Sequence, residues 1–149
     1  EAEKLMHHSL LQKGIELEVK CAAGLPDIVA NSIQLEQVIV NLLSNARDAI
    51  EQTGRKDGKI IIKLKATTKT VTLSIQDNGC GMDEELKNKI FDPFFTTKEV
   101  GKGTGLGLSI SHGILKRFGT AIDVQTKIGE GSTFKLTFAL NHTQKENKA

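Results

Sequence analysis

The chain has 149 residues, is 38% hydrophobic and 26% charged, and carries a formal charge of +2, which suits a domain with a real core and lacks the basic face of a nucleic-acid reader. Six Phe with no Tyr or Trp leave few stacking platforms for single strands, no apolar run approaches the ~20 residues that span a bilayer, and no signal peptide is visible. Cys21 and Cys80 lack metal-ligand spacing and read as two free thiols of a reducing compartment.

In chain order, Glu1 to Gln12 reads as a helix with Leu5, Ser9 and Gln12 on one side and Leu10 and Leu11 beside them, ended by Lys13-Gly14. Ile15 to Val19 alternates apolar and charged residues as a half-buried strand does, and a turn near Gly24 leads to a short extended Ile28-Val29-Ala30. Asn31 or Ser32 caps the next helix, with Gln34 or Glu36 near the position of a capping partner. That helix, about Ile33 to Gln52, carries Leu35, Val38, Ile39, Leu42, Leu43, Ala46, Ala49 and Ile50 on one broad apolar face. Lys59 to Ala66 and Thr70 to Gln76 alternate as an antiparallel pair around Thr67-Thr68-Lys69. Asp83 caps a short helix to Ile90. Phe91 to Gly105 is aperiodic and long for a connection inside a compact domain, as functional lids and disordered segments are. A helix to about Phe118 follows, then strands Ala121 to Thr126 and Thr133 to Leu140 around Gly129-Glu130-Gly131, and a polar tail over residues 141–149. The pattern predicts an α+β fold with helices over one face of a mostly antiparallel sheet.

Three stretches carry chemistry. GKGTGLGLSI, Gly101 to Ile110, has glycines at alternate positions and runs into a helix N-terminus. Such a segment is either a phosphate cradle of backbone N–H groups or a plain flexible connector. No strand and no βαβ unit precede it, against a dinucleotide fingerprint, and Lys102 is followed by glycine, against a P-loop. Asn41 and Asn45 lie one turn apart on the core helix. Amides on an apolar stripe either bond to local backbone or face a ligand, and an amide oxygen is a hard donor that suits Mg²⁺. Asp77 ends a strand before Asn78-Gly79-Cys80-Gly81. It either closes an Asx turn or accepts a hydrogen bond from an exocyclic amine such as that of adenine, where guanine presents an oxygen instead.

Taken together, NLLSNARDAI (Asn41 to Ile50), DNGCGM (Asp77 to Met82), FDPFFTTK (Phe91 to Lys98), GKGTGLGLSI and GEGSTF (Gly129 to Phe134) resemble, in order and spacing, the motif boxes of the catalytic ATP-binding domain of sensor histidine kinases. The resemblance runs from about Glu3 to Leu140 and implies a five-stranded mixed sheet covered on one face by three helices, a sandwich shared with gyrase, Hsp90 and MutL ATPases. It implies that Asp77 takes the adenine amine, that Gly79 and Gly81 let the backbone pass close to the base, and that Thr133 supports Asp77 through water. Asn45 would hold Mg²⁺ between the phosphates, and Asn41 would contact the phosphate or metal-bound water. The backbone of Gly103, Thr104, Gly105, Leu106, Gly107 and Leu108 would cradle the phosphates, with Gly105 and Gly107 needed for its conformation. Phe91, Phe94 and Phe95 would anchor a lid, poorly ordered without nucleotide over residues 96–104. Lys98 and Lys102 either reach the β- or γ-phosphate or are solvated lid charges, and Asn41 and Lys98 are the residues nearest the chemistry.

In the hydrolases of that superfamily a glutamate stands four residues before the metal asparagine. Here it is Asn41, and an amide cannot be a general base, so transfer to a protein nucleophile is expected over hydrolysis. One departure is Asp48, where many histidine kinases have a basic residue, so the phosphate-side cation falls to Arg47, Lys98 or Lys102. His7, His8, His112 and His142 lack the surroundings of a phosphoacceptor. The resemblance therefore implies a separate dimerisation and phosphoacceptor hairpin before residue 1, with residues 1–12 as its junction. It further implies a response regulator downstream, a cytoplasmic location, and an isolated monomer from a homodimeric parent whose membrane topology stays open. The alternatives are an anti-sigma type of protein serine kinase and a nucleotide-gated binding module without transfer.

Overall fold

The periodicities of the chain become helices and strands close to the expected bounds. The structure is a computed structural model that describes residues 1–96 and 105–140. Among these the elements are α1 (Ala2–Gln12), β1 (Glu16–Cys21), α2 (Ser32–Thr53), β2 (Lys59–Ala66), β3 (Thr70–Asp77), α3 (Glu84–Lys89), α4 (Gly107–Arg117), β4 (Ala121–Lys127) and β5 (Gly131–Ala139).

The sheet order is β1-β2-β3-β5-β4, with β1 parallel to β2 and the other pairs antiparallel. This is the expected α+β sandwich. Alternate residues point to opposite faces of a strand; Ile60, Ile62, Leu73, Ile75, Phe134, Leu136 and Phe138 all turn toward the helices and are buried. Between them the opposite face carries Lys63, Lys65, Thr72, Lys135 and Thr137.

Helix α2 is the middle of the helical layer, touching α1 on one side and α4 on the other, and lying on the sheet. Its start is set by Asn31, whose side chain accepts the N–H of Gln34 at 3.0 Å, and its end by Gly54 in the left-handed region. Val38, Leu42, Leu43, Ala46 and Ile50 are buried along one stripe. At about 1.5–3 kcal/mol for each large apolar side chain, this stripe holds both neighbouring helices and the sheet.

The N-terminal elements differ from the expected grouping. Helix α1 turns Ala2, Met6 and Leu10 inward, a single i, i+4, i+8 stripe, because it packs on α2 and β1. Leu5 is left 65% exposed whereas Leu10 is 1% exposed. Arg47 of α2 donates to Ser9 Oγ of α1 at 2.9 Å and pins the helix from its flank. Strand β1 starts and ends later than the alternation suggests because its bounds follow its pairing with Lys59 to Leu64. Residues 28–30 form no strand, and Val29 is 81% exposed.

This assignment of faces has a direct test. Leu10→Ala should cost about 2–5 kcal/mol of unfolding free energy and Leu5→Ala no more than about 0.5. Denaturant titrations giving equal losses would show that α1 presents a different side to the core.

Candidate functional site

Strand β3 is flanked by β2 and β5 and ends in Asp77, which is in register with Ile60 on one side and Ser132 on the other. The helix-facing parity of the strand therefore drives a carboxylate inward at the rim of the core, where it is 5% exposed. Burial pushes its pKa up from 3.8 to about 6, opposed in part by the backbone N–H groups of Gly79 and Ser132. Gly79 N–H donates to Asp77 Oδ1 at 2.8 Å. The Asx turn therefore forms while Asp77 still lines a cavity of about 530 Å³.

The loop after Asp77 is fastened to three elements. Cys80 N–H donates to Ala49 O of α2 at 3.1 Å, Gly129 N–H to Cys80 O at 2.8 Å, and Met82 N–H to Thr126 Oγ1 of β4 at 2.9 Å. Asn78 faces away from the cavity: its side chain accepts Lys59 N–H at 2.8 Å and donates to Asp57 O at 2.9 Å, while Arg55 donates to its carbonyl. Gly79 is required because a Cβ there would lie 2.7 Å from the Ala49 backbone and 2.8 Å from Asp77 Oδ1. At Gly81, φ is +67° and a Cβ would run into the Lys127 carbonyl.

Across the cavity, α2 contributes Asn41, Asn45, Asp48, Ala49 and Gln52. Asn41 Nδ2 donates to Gly107 O at 3.3 Å and to Ser111 Oγ at 3.2 Å. Ser111, fully buried, in turn donates to Gly107 O at 2.8 Å. With its N–H groups turned to α4, Asn41 leaves its carbonyl oxygen to other partners. Helix α4 begins at Gly107 after Leu106, with no side-chain cap and no acidic residue in its first turn. Its first N–H groups thus have no partner within the helix, beside a cavity lined by Gly105, Gly107 and Leu108.

Of the expected site residues, Asn41, Asn45, Asp77, Gly81, Gly105, Gly107 and Leu108 come together around this one cavity. Gly79 sits behind Asp77, and Leu106 caps α4. Lys98, Lys102, Gly103 and Thr104, with the lid expectation over residues 96–104 apart from Thr96, lie outside the described residues. Thr133 is not brought to the cavity. It is in register with Gln76 on the opposite face of the sheet, and Ser132, in register with Asp77, lines the cavity in its place. Gly105 has φ +69° and meets the Phe94 backbone, but Gly107 is helical, and a Cβ there would make ordinary contact with Asn41 at 3.8 Å. Its conformation does not demand glycine. Phe91 and Phe95 pack against the core, Phe91 stacking on His112 at 5.0 Å, whereas Phe94 is exposed with φ +64°. Arg47 points to Ser9, Ser44 and Asp48 and is absent from the cavity lining.

The comparisons with known proteins fall on this same region. A family model described as "Histidine kinase-, DNA gyrase B-, and HSP90-like ATPase" matches residues 30–142. The chain belongs to that family. A solved catalytic domain of the histidine kinase ThkA is 31% identical, with a TM-score of 0.78 over 93% of this chain and 88% of that one. The sensor kinase CckA of Brucella abortus is 40% identical over 85% of this chain, which spans 15% of that relative's length. Full-length ShkA in complex with AMPPNP is 28% identical with a TM-score of 0.80 over 94% of this chain and 29% of that one. This is therefore a histidine kinase catalytic domain, and an ATPase family carries ATP binding with it. No helix among its described residues is long and apolar enough to cross a membrane.

Several residues of the catalytic domain's site were not singled out in the sequence. Ser132 lines the cavity, while Ser111 and Thr126 brace residues that do: Ser111 Oγ receives Asn41 Nδ2, and Thr126 Oγ1 shares a hydrogen bond with Ser132 Oγ at 2.8 Å while receiving Met82 N–H. Cys80 lines the cavity, its Sγ 3.5 Å from Gln52 Oε1, and burial pushes its pKa up.

The buried Asp77 makes stability depend on pH. Its folded-state pKa is raised, so the stability it permits is complete below 3.8 and is lost as pH climbs through about 6, about 3 kcal/mol in all. Asp77→Asn should therefore be more stable than the parent without nucleotide. We expect the difference in unfolding free energy to be small at pH 4 and to reach about 3 kcal/mol by pH 7.5; a difference that stays flat across that range would mean the carboxylate is not held at a cost.

Proposed function

We propose that this domain binds Mg-ATP between α2, α4 and the end of β3 and donates the γ-phosphoryl group to a histidine on a separate phosphoacceptor domain, in two-component signalling. The observation that carries the proposal is Asp77, an acceptor-only carboxylate when ionised, 5% exposed at the wall of a cavity large enough for a nucleotide. An adenine amine supplies the donor that such a group lacks. The family membership and the likeness to ShkA, which was solved with AMPPNP, support the same ligand.

In this reading Asp77 recognises the adenine amine, with Ser132 in place of Thr133 beside it. Gly79 and Gly81 shape the loop under the base. The backbone N–H groups of Gly105, Leu106, Gly107 and Leu108 receive the phosphates at the start of α4, continued by Gly103 and Thr104, with Lys98 and Lys102 as the cations of the glycine-rich segment. No group of three or more His, Cys, Asp or Glu able to hold a metal exists among the described residues. The donor set fits Mg²⁺ that arrives with the nucleotide: Asn45 Oδ1 would hold it, with Asn41 alongside, and phosphate and water would supply its other donors. When bound, Mg²⁺ neutralises phosphate charge.

The chain's own part is positioning. Asn41 carries no basic lone pair and is committed through Nδ2 to α4, so it orients that helix and activates no water. The imidazole nitrogen of the acceptor attacks the γ-phosphorus, a P–N bond forms, and the bond to the β-bridging oxygen breaks with ADP as the leaving group. We further propose that residues 1–140 are one catalytic unit, with α1 as the junction to the phosphoacceptor hairpin. The domain would work in the cytoplasm of a dimeric parent and serve a response regulator.

Mg-ADP at 100 times its dissociation constant should add about 2.7 kcal/mol to stability, read as a rise of several degrees in melting temperature, and Asp77→Asn should abolish that rise. Mg-ATP alone should leave the domain unphosphorylated, and a supplied histidine hairpin should acquire acid-labile phosphate. Full ADP affinity in Asp77→Asn overturns the adenine assignment; acid-stable phosphoserine overturns the acceptor.

A further inference from the structure

Asp48 is the charged side chain of α2 that reaches the cavity. It stands three residues after Asn45, so the two side chains are i, i+3 neighbours about 5–6 Å apart on one face of the helix, and both line the cavity. One of its oxygens, Oδ1, accepts from Arg47 Nε at 3.2 Å and Nη2 at 2.9 Å. Arg47 is held in turn by Ser9 Oγ at 2.9 Å and Ser44 Oγ at 3.3 Å. The carboxylate is thus braced from outside the cavity by a cation that does not itself line it.

Resting on the nucleotide reading above, we propose that Asp48 is a specificity-determining residue that selects the Mg²⁺-loaded nucleotide over the free one. The argument is electrostatic. Among the described residues that line the cavity there are two carboxylates, Asp48 and Asp77, and no Lys, Arg or His. Asn41 of α2 bonds to the start of α4, and Asp48 lies about 10 Å of helix rise further along α2, next to Ala49, whose carbonyl receives Cys80 N–H of the loop after Asp77. A carboxylate at that point accepts hydrogen bonds and donates none. It repels a bare polyphosphate at short range, and it attracts a hydrated divalent ion held by the neighbouring Asn45, whose bound waters are donors that span the gap between the two side chains. A basic side chain in this position would do the reverse and bind phosphate with or without the metal. Arg47 acts as the positioning residue, keeping the carboxylate toward the cavity.

The test is direct binding of ADP by calorimetry, in Mg²⁺ and in EDTA, for the parent domain, Asp48→Asn and Asp48→Lys. Each variant's melting temperature without nucleotide checks that it folds, and Asp48→Ala replaces any that does not. The ratio of the dissociation constant in EDTA to that in Mg²⁺ should fall by about tenfold or more in Asp48→Asn, mostly through tighter binding in EDTA. It should fall further in Asp48→Lys. Ratios equal to the parent's within twofold overturn the inference and leave the nucleotide reading standing. Equal weakening in both buffers overturns it too, pointing to a contact with the ribose hydroxyls. If the parent domain binds no ADP in Mg²⁺, the nucleotide reading fails and this inference with it.

Discussion

A carboxylate held almost out of water at the end of a central strand is the constraint around which the cavity is built. Asp77 is placed there by sheet parity and by ladder partners on both sides, and leaving it there charged costs free energy. Nearby groups reduce that cost without removing it. Gly79 N–H bonds to its Oδ1, which requires a residue small enough to sit against Ala49 and the carboxylate together. The β5 backbone passes so close to the Asp77 carbonyl that Gly131 has no room for a Cβ. Of these two close approaches, the one at Gly79 involves the carboxylate itself and the one at Gly131 the main chain at the same position.

Helix α2 is the second half of the arrangement, and its two edges do opposite things. The buried stripe from Val38 to Ile50 joins α1, α4 and the sheet. The cavity edge carries Asn41, Asn45, Asp48 and Gln52. Because one rigid helix bears both, the spacing of the polar groups is set by core packing and needs no support from loops. Asn41 illustrates the coupling: its amide bonds to Gly107 O and Ser111 Oγ and so fixes where α4 starts relative to α2. The N–H groups of the first turn of α4, which have no partner within the helix, are held at the same cavity by that contact.

Much of this was legible in the sequence, where local chemistry decides the outcome. The period of α2, the caps at Asn31 and Asp83, and the hairpin through Thr67-Thr68-Lys69 depend on a few neighbouring residues, and each forms as expected. What the sequence left unsettled depends on pairing across the chain. The expectation of Thr133 at the site differs from the structure by one residue of register between β3 and β5, since a slip of one exchanges the faces. The inward side of α1 depends on where α2 and β1 lie against it. Ser111 and Thr126 carry no motif, because a hydroxyl that bridges elements looks like any other hydroxyl until the elements meet. The alternatives at Asp77, a local turn or a ligand contact, were never exclusive, because Oδ1 serves the turn while the carboxylate still lines the cavity.

The charge on the cavity explains why the site is divided in this way. Its described lining has carboxylates near the β3 end and along α2, while the α4 end has backbone N–H groups and no cation. Helix N-termini bring only fractional positive charge, so a ligand with several negative charges is not neutralised by the described part of the protein. Two sources of positive charge remain, the lysines of residues 97–104 and a metal ion that accompanies the ligand. Under the reading proposed above, Asp48 weighs this balance toward the metal, since its carboxylate stands one turn from Asn45 on the edge of α2 that lines the cavity. Arg47 does not restore the balance, because its guanidinium is already engaged by Ser9, Ser44 and Asp48. Arg47 thus ties the flank of α1 to the carboxylate of α2 that lines the cavity, beside the apolar stripe that holds the two helices together.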